Sequence, residues 1–74
     1  MNKEDFLVKL GQHIKAIRKE KGLSIRDIEL NTDLTRQYIS NIELGKINTS
    51  VFKLKRIADA LGIEFADLFK GFKV

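Results

Sequence analysis

Apolar residues recur at helical spacing in short, separated segments of this 74-residue chain, and this pattern constrains the fold more than any other feature. Phe6, Leu10, Ile14 and Ile17 lie four, four and three residues apart, which places them on one face of a helix. No segment alternates apolar and polar residues for long enough to form a strand, and the chain contains no proline. The sequence therefore predicts an all-α fold.

Capping residues divide the chain into five short predicted helices, at residues 5–21, 25–32, 36–44, 51–61 and 64–69. Ser24 and Thr35 precede the second and third helices as N-caps, and Asp27 is placed to complete a capping box with Ser24. Glycines at positions 22, 45 and 62 follow predicted helices, where a residue that tolerates positive φ is favoured. We interpret residues 1–74 as one domain, with its core at 6–69 and a tail at 70–74.

The composition argues against several classes of function. The chain has no cysteine, and its single histidine, His13, is too few for the usual zinc site. Scattered carboxylates without a glycine-rich phosphate loop form no catalytic constellation, so we expect no enzyme activity, no metal and no cofactor. The chain shows no secretory signal and no membrane span, which predicts a cytoplasmic protein. The net charge of +4 favours polyanionic partners.

Two short predicted helices, 24–32 and 35–44, are separated by a turn of only two or three residues, which is typical of a helix-turn-helix motif. In this motif the start of the second helix points outward and reaches base edges in the DNA major groove. Arg36 and Gln37 occupy that start, and Ser40 and Asn41 follow one turn later. Arginine can bind guanine through two hydrogen bonds, and glutamine or asparagine can do the same with adenine. A solvated helix start could carry the same residues by chance.

An ordered set of motifs over residues 6–69 resembles the helix-turn-helix domain of the phage-repressor and Cro (XRE-type) family of bacterial regulators. The matches include Arg18 ahead of Gly-Leu-Ser at 22–24, Leu-Thr at 34–35, Tyr-Ile-Ser at 38–40, and Ile-Ala through Ala-Leu-Gly at 57–62. The chain looks most like short stand-alone members, such as Cro proteins or controllers of restriction–modification operons. The resemblance implies a lambda-repressor-like fold and a sequence-specific transcriptional regulator that binds double-stranded DNA in the nucleoid.

The resemblance also implies roles for individual residues. Arg18 and Glu43 match an internal ion pair that ties the first helix to the third. The base-reading positions are matched by Arg36, Gln37 and Asn41. The positions that contact the DNA backbone or sense its shape are matched by Ser24, Thr35, Tyr38, Ser40, Lys46 and Asn48, with Arg26 as a further candidate.

Three residues of the motif depart from the family pattern. Ile25 replaces a frequent glutamine that grips phosphate, so that contact is missing or is replaced by Arg26. Glu29 stands where alanine is usual, and it is either rotated to the surface or paired with a nearby basic residue. Asp33 replaces the usual turn glycine, and aspartate tolerates the left-handed conformation better than most residues.

A single small motif reads only a few base pairs, so we expect a symmetric homodimer on a pseudo-palindromic operator. The predicted dimer interface lies on the fourth and fifth helices and the tail, and comprises Val51, Phe52, Lys55, Phe69, Phe72 and Val74. Phe72 and Val74 lie beyond the last predicted helix and either supply this interface or fold back onto the domain. An alternative function is a protein-interaction module, such as an antitoxin that masks a toxin and also binds its own promoter. A protein partner, polymerase or toxin, is not specified by the sequence.

Overall fold

A computed structural model describes residues 1–71, which form four α-helices and one 3₁₀ helix. The elements are α1 (Lys3–Glu20), α2 (Ile25–Leu30), α3 (Arg36–Glu43), α4 (Val51–Leu61) and the 3₁₀ helix Phe65–Phe69. No strand occurs within these described residues. The all-α prediction is confirmed, and the fifth predicted helix is a 3₁₀ helix.

The first helix begins two residues earlier than predicted because Asn2 provides its cap. The Asn2 side-chain oxygen accepts a hydrogen bond of 2.8 Å from the backbone N–H of Asp5. At its other end the helix stops at Glu20, one residue early, and Gly22 follows with a φ of 71°. The predicted positive φ is likewise confirmed at positions 45 and 62.

The second helix ends at Leu30, whereas the prediction extended it to residue 32. After Leu30 the backbone hydrogen bonds span three residues and no longer four, and the N–H of Thr32 donates to the carbonyl of Glu29 at 3.3 Å. The Thr32 hydroxyl donates to the carbonyl of Ile28 at 2.9 Å and accepts from the N–H of Leu34 at 3.1 Å. Threonine side chains compete for backbone groups in this way, which ends a helix without any break in apolar periodicity.

The turn between α2 and α3 therefore covers residues 31–35, longer than the two or three residues predicted. Asp33 does not use the left-handed conformation expected of it, because no residue other than glycine has positive φ in the part of the chain described. Hydrogen bonds of the Thr32 side chain shape the turn, so no left-handed residue is needed. The Asp33 carboxylate instead accepts a hydrogen bond from Arg56 of α4 at 3.0 Å.

The core forms where α1 packs on α3 and the 3₁₀ helix, while α2 packs on α3 and α4. Each helix contributes the apolar face that its periodicity predicts, although Phe6 and Ile17 are only partly buried. The buried apolar residues are Leu10, Ile14, Ile28, Leu34, Ile39, Ile42, Leu54, Ile57, Ala58, Leu61 and Leu68.

Two glycines allow the backbones of α1 and α3 to approach closely. Gly11 is buried in α1, where a Cβ would overlap the carbonyl oxygen of Ile42 and lie 2.5 Å from that of Glu43. Gly45 follows α3 with a φ of 73°, and a Cβ there would lie 2.6 Å from the Cα of Val8. The end of α3 is thereby seated directly on α1, which fixes where the start of α3 points.

A buried ion pair joins the same two helices. The Nε of Arg18 donates to Oε2 of Glu43 at 2.7 Å, and Nη2 donates to Oε1 at 3.1 Å. The side chains are 9% and 5% exposed. The Nη1 of Arg18 also donates to the carbonyl of Leu23 at 2.8 Å, so one guanidinium links α1, α3 and the segment before α2.

Candidate nucleic-acid interface

The first two residues of α3, Arg36 and Gln37, are exposed, whereas the opposite face of the helix is buried. The Thr35 hydroxyl caps this helix by accepting from the N–H of Tyr38 at 3.1 Å. Ile39 and Ile42 face the core, which turns Arg36 and Gln37 toward solvent. This arrangement places two long polar side chains at the outward end of a helix anchored elsewhere by the core.

A concave surface lies between the start of α2 and the start of α3. It brings together five residues that the sequence nominates for DNA contacts: Ser24, Arg26, Arg36, Gln37 and Ser40. Ile25 lines the same surface in place of the family's usual glutamine, and Arg26 is exposed beside it. Two exposed guanidinium groups and the N-terminal ends of two helices favour an anion here.

The amide side chains of Gln37 and Asn41 are joined by a hydrogen bond. Nε2 of Gln37 donates to Oδ1 of Asn41 at 3.1 Å across one turn of α3. Asn41 is half-buried, whereas Gln37 is exposed. The bond orders two amides that the sequence analysis predicts as base readers, and it leaves donors and acceptors on both.

Arg36 is in contact with Glu29 of α2. The Nε of Arg36 lies 3.5 Å from Oε1 of Glu29, and the backbone N–H of Arg36 donates to Oε2 at 3.3 Å. The sequence allows Glu29 either to point to the surface or to pair with a basic residue, and in the structure it pairs with Arg36. The contact joins the last turn of α2 to the start of α3.

A capping box fixes the start of α2, as its sequence predicts. The N–H of Asp27 donates to the Ser24 hydroxyl at 3.0 Å, and the N–H of Ser24 donates to the Asp27 carboxylate at 2.7 Å. The backbone hydrogen bond from Ser24 holds the pKa of Asp27 below its ordinary value. The Ser24 hydroxyl accepts in this box, so its own proton can still be donated to a phosphate.

Tyr38 faces away from that concave surface, toward α4. Its hydroxyl lies 2.8 Å from the Thr49 hydroxyl, and the Nζ of Lys53 lies 4.6 Å from the centre of its ring. Tyr38 and Thr35 line a second concavity with Lys53 and Arg56. Lys53 and Arg56 are not among the residues predicted for DNA contacts, although they belong to a group of three basic residues in the first two turns of α4.

Lys46 and Asn48 are exposed in the loop between α3 and α4. They sit beyond the C-terminal end of α3, away from the concave surface at its start. The structure therefore places the nominated polar residues at both ends of α3.

The residues predicted for a dimer interface are spread over α4 and the 3₁₀ helix. Val51 is 72% exposed and Phe52 is 67% exposed, both in the first turn of α4. Lys55 pairs with Asp59 at 2.6 Å, and Phe69 is half-buried with its ring 5.6 Å from that of Phe65. Phe72 and Val74 lie outside the described residues.

Residues 1–71 contain no group of acidic, histidine and cysteine side chains arranged to hold a metal ion. The same part of the chain contains no helix with the length and apolar character needed to cross a membrane.

Known proteins resemble this chain in sequence and in structure. The control protein C.MunI from Mycoplasma sp is 41% identical over 66 residues, which cover 88% of this chain and 89% of that protein. The crystal structure of the restriction-modification controller protein C.AhdI from Aeromonas hydrophila matches with a TM-score of 0.82 at 38% identity, covering 85% of this chain and 96% of that one.

A second solved structure shows a relative on DNA. The restriction-modification controller protein C.Esp1396I, a tetramer in complex with its natural 35 base-pair operator, matches with a TM-score of 0.81 at 33% identity. The match covers 89% of this chain and 87% of that one. The helix-turn-helix family model matches residues 14–68, a stretch that includes the whole of α2 and α3. On sequence, fold and the motif's geometry, this chain belongs to the helix-turn-helix family.

Proposed function

We propose that the protein is a sequence-specific DNA-binding transcriptional regulator that inserts α3 into the major groove. The observation that carries this proposal is the concave surface at the start of α3, where exposed Arg26, Arg36 and Gln37 converge. A helix-turn-helix protein contacts base edges with the outward end of its second helix, and this is the end that α3 exposes. The relative that occurs in complex with its operator supports the same function.

Three residues of α3 are assigned to reading bases. Arg36 is the only charged residue of the three, and its guanidinium can donate hydrogen bonds to both acceptors of guanine. The mutual hydrogen bond of Gln37 and Asn41 orders both amides before DNA arrives, which lowers the entropy lost on binding. We assign these amides to adenine.

A second set of residues is assigned to the DNA backbone and to its shape. Ser24 and Arg26 stand at the start of α2, where phosphate is favoured by exposed N–H groups and the helix dipole. Contacts of this kind orient the protein and carry little sequence information. The assigned residues are Ser24, Arg26, Thr35, Tyr38, Ser40, Lys46 and Asn48.

The working unit is a homodimer on a pseudo-palindromic operator. Val51 and Phe52 expose apolar surface on the first turn of α4, which a second copy can cover. Two copies of α3 about 34 Å apart reach successive major grooves on one side of the duplex. The tetrameric operator complex of the relative C.Esp1396I supports assembly of more than one copy on DNA.

The assignment of Arg36 is tested by comparing Arg36→Ala with Lys46→Ala, since each removes one exposed positive charge. Arg36→Ala is expected to lose about 1–3 kcal/mol of binding to the operator and to relax the preference at one base pair of each half-site. Lys46→Ala is expected to weaken binding on all duplexes alike and to lower the salt dependence by about one phosphate contact. Equal weakening on all duplexes by Arg36→Ala would make Arg36 a phosphate contact.

A further inference from the structure

Glu29 is an acidic residue that contacts the proposed DNA-binding surface through Arg36. Its carboxylate lies at the junction of α2 and α3 and contacts a single residue twice. Oε2 accepts from the backbone N–H of Arg36 at 3.3 Å, and Oε1 lies 3.5 Å from the Nε of the same residue. The carboxylate therefore accepts a hydrogen bond from the first N–H of α3 and forms an ion pair with the side chain of the same residue.

The stability of the fold gives little reason for this contact. The Arg36 side chain is 65% exposed and that of Glu29 is 33% exposed, and ion pairs of this kind contribute about 0–1 kcal/mol. The start of α3 already has its cap, because Thr35 accepts from the N–H of Tyr38. A carboxylate near phosphates is also unfavourable for DNA binding in general. The contact instead restricts the conformations available to the Arg36 side chain.

The geometry leaves the far end of Arg36 available for DNA. Glu29 lies on the Nε side of the guanidinium, 3.5 Å away, and the two acceptors of a guanine need only two donors, which Nη1 and Nη2 can supply. A free arginine side chain loses about 2 kcal/mol of rotamer entropy when it is fixed. A side chain already held at Nε loses less on binding, so more of the guanine interaction appears as discrimination between bases.

We propose that Glu29 is a specificity-determining positioning residue: it holds Arg36 so that its terminal nitrogens read one base of the operator. This inference rests on the proposed function, since it requires that Arg36 reads a base. It gives Glu29 two effects of opposite sign. The carboxylate repels phosphates on every duplex, yet it raises the preference for the base that Arg36 contacts.

The two effects separate this role from a structural one. Loss of Glu29 is expected to strengthen binding to unrelated duplexes, because a negative charge beside the proposed DNA-binding surface is removed and its long-range repulsion of phosphates is lost. The same loss is expected to reduce the preference at the base pair read by Arg36 by about threefold. This is the change in the ratio of dissociation constants that the loss of one partly exposed ion pair produces. A residue that only stabilised the fold would change the melting temperature and leave base preference intact.

The experiment measures dissociation constants at about 150 mM salt for the operator selected by the wild-type protein and for each single base-pair substitution in one half-site. The variants are Glu29→Ala, Glu29→Gln and Arg36→Ala, with Asp33→Asn as the control. Asp33 is a neighbouring acid that pairs with Arg56 and does not contact Arg36. Glu29→Gln removes the charge and keeps one acceptor oxygen, which can face either Nε or the backbone N–H of Arg36 but not both.

The proposal expects Glu29→Ala to lose preference at the base pair where Arg36→Ala loses it, and nowhere else. Glu29→Gln is expected to retain part of that preference, while Asp33→Asn binds all duplexes more tightly with its base preferences intact. Full preference in Glu29→Ala, or an equal loss at every position, would overturn the role of Glu29 while leaving the regulator proposal standing. A wild-type protein without any base preference would overturn both, and that result is read before any variant is measured.

Discussion

Removing Glu43 leaves the buried charge of Arg18 without its partner, and the resulting loss in the free energy of unfolding follows from the geometry of the Arg18–Glu43 pair. Arg18 and Glu43 share two hydrogen bonds of 2.7 and 3.1 Å, with side chains 9% and 5% exposed. Deleting one partner of such a pair costs about 3–5 kcal/mol, because the other charge stays buried without compensation. A domain of 74 residues has a total stability of about 4–11 kcal/mol. Glu43→Ala therefore removes a large share of it.

The assay is urea unfolding followed by circular dichroism, together with a thermal melt. At about 4–8 °C for each kcal/mol in a domain of this size, Glu43→Ala is expected to melt at least about 12 °C lower than the wild type. The control is Lys55→Ala, which breaks the exposed Lys55–Asp59 pair at spacing i, i+4. That substitution is expected to cost at most about 0.5 kcal/mol.

A double variant isolates the stranded charge from lost packing. Arg18→Met with Glu43→Leu removes both charges at similar volume, and such replacements are often neutral or stabilising. The carbonyl of Leu23 loses its donor at a cost of about 1 kcal/mol. We expect the double variant to be at least about 2 kcal/mol more stable than either Arg18→Met or Glu43→Leu alone. A loss for Glu43→Ala no larger than that of Lys55→Ala would show that the pair does not hold α1 to α3.

Two further predictions concern the backbone contacts of α1 and the cap of α2. Gly11→Ala is expected to lower the free energy of unfolding by about 2 kcal/mol or more in urea, because its Cβ would overlap the Ile42 carbonyl, and a gain in stability would contradict that close approach. The hydrogen bond from the Ser24 backbone lowers the pKa of Asp27 in the folded protein below its ordinary value of 3.8. The Asp27 carboxylate therefore stabilises the folded state fully above pH 3.8, and this stabilisation is lost as the pH falls through the lower folded-state pKa. In urea unfolding between about pH 5 and pH 2, Asp27→Asn is expected to lose less stability on acidification than the wild type, and identical acid dependence would exclude this role.

Local signals in the sequence predicted the helices and caps well. Ser24, Asp27 and Thr35 act within three residues of the groups they bind, so spacing alone identifies them. The ends of helices were less predictable. The stop at Leu30 depends on the Thr32 side chain competing for the carbonyl of Ile28, which leaves no mark on apolar periodicity.

Contacts between distant residues needed more than local pattern. The pairing of Arg18 with Glu43, 25 residues apart, was implied by the family resemblance and not by spacing. The partner of Glu29 could not be chosen from the sequence, because two orientations of its side chain were equally consistent with the helix. Only the relative placement of α2 and α3 brings its carboxylate to Arg36.

Binding-site selection with the wild-type protein tests whether α3 reads DNA sequence. The purified protein is mixed with random and genomic duplexes at about 150 mM salt, where binding through phosphates alone is largely suppressed, and bound duplexes are sequenced. The predicted result is an enriched pseudo-palindrome with half-sites about one helical turn apart. Uniform, salt-sensitive binding without any enriched sequence would contradict a DNA-reading regulator and redirect the search to a protein partner.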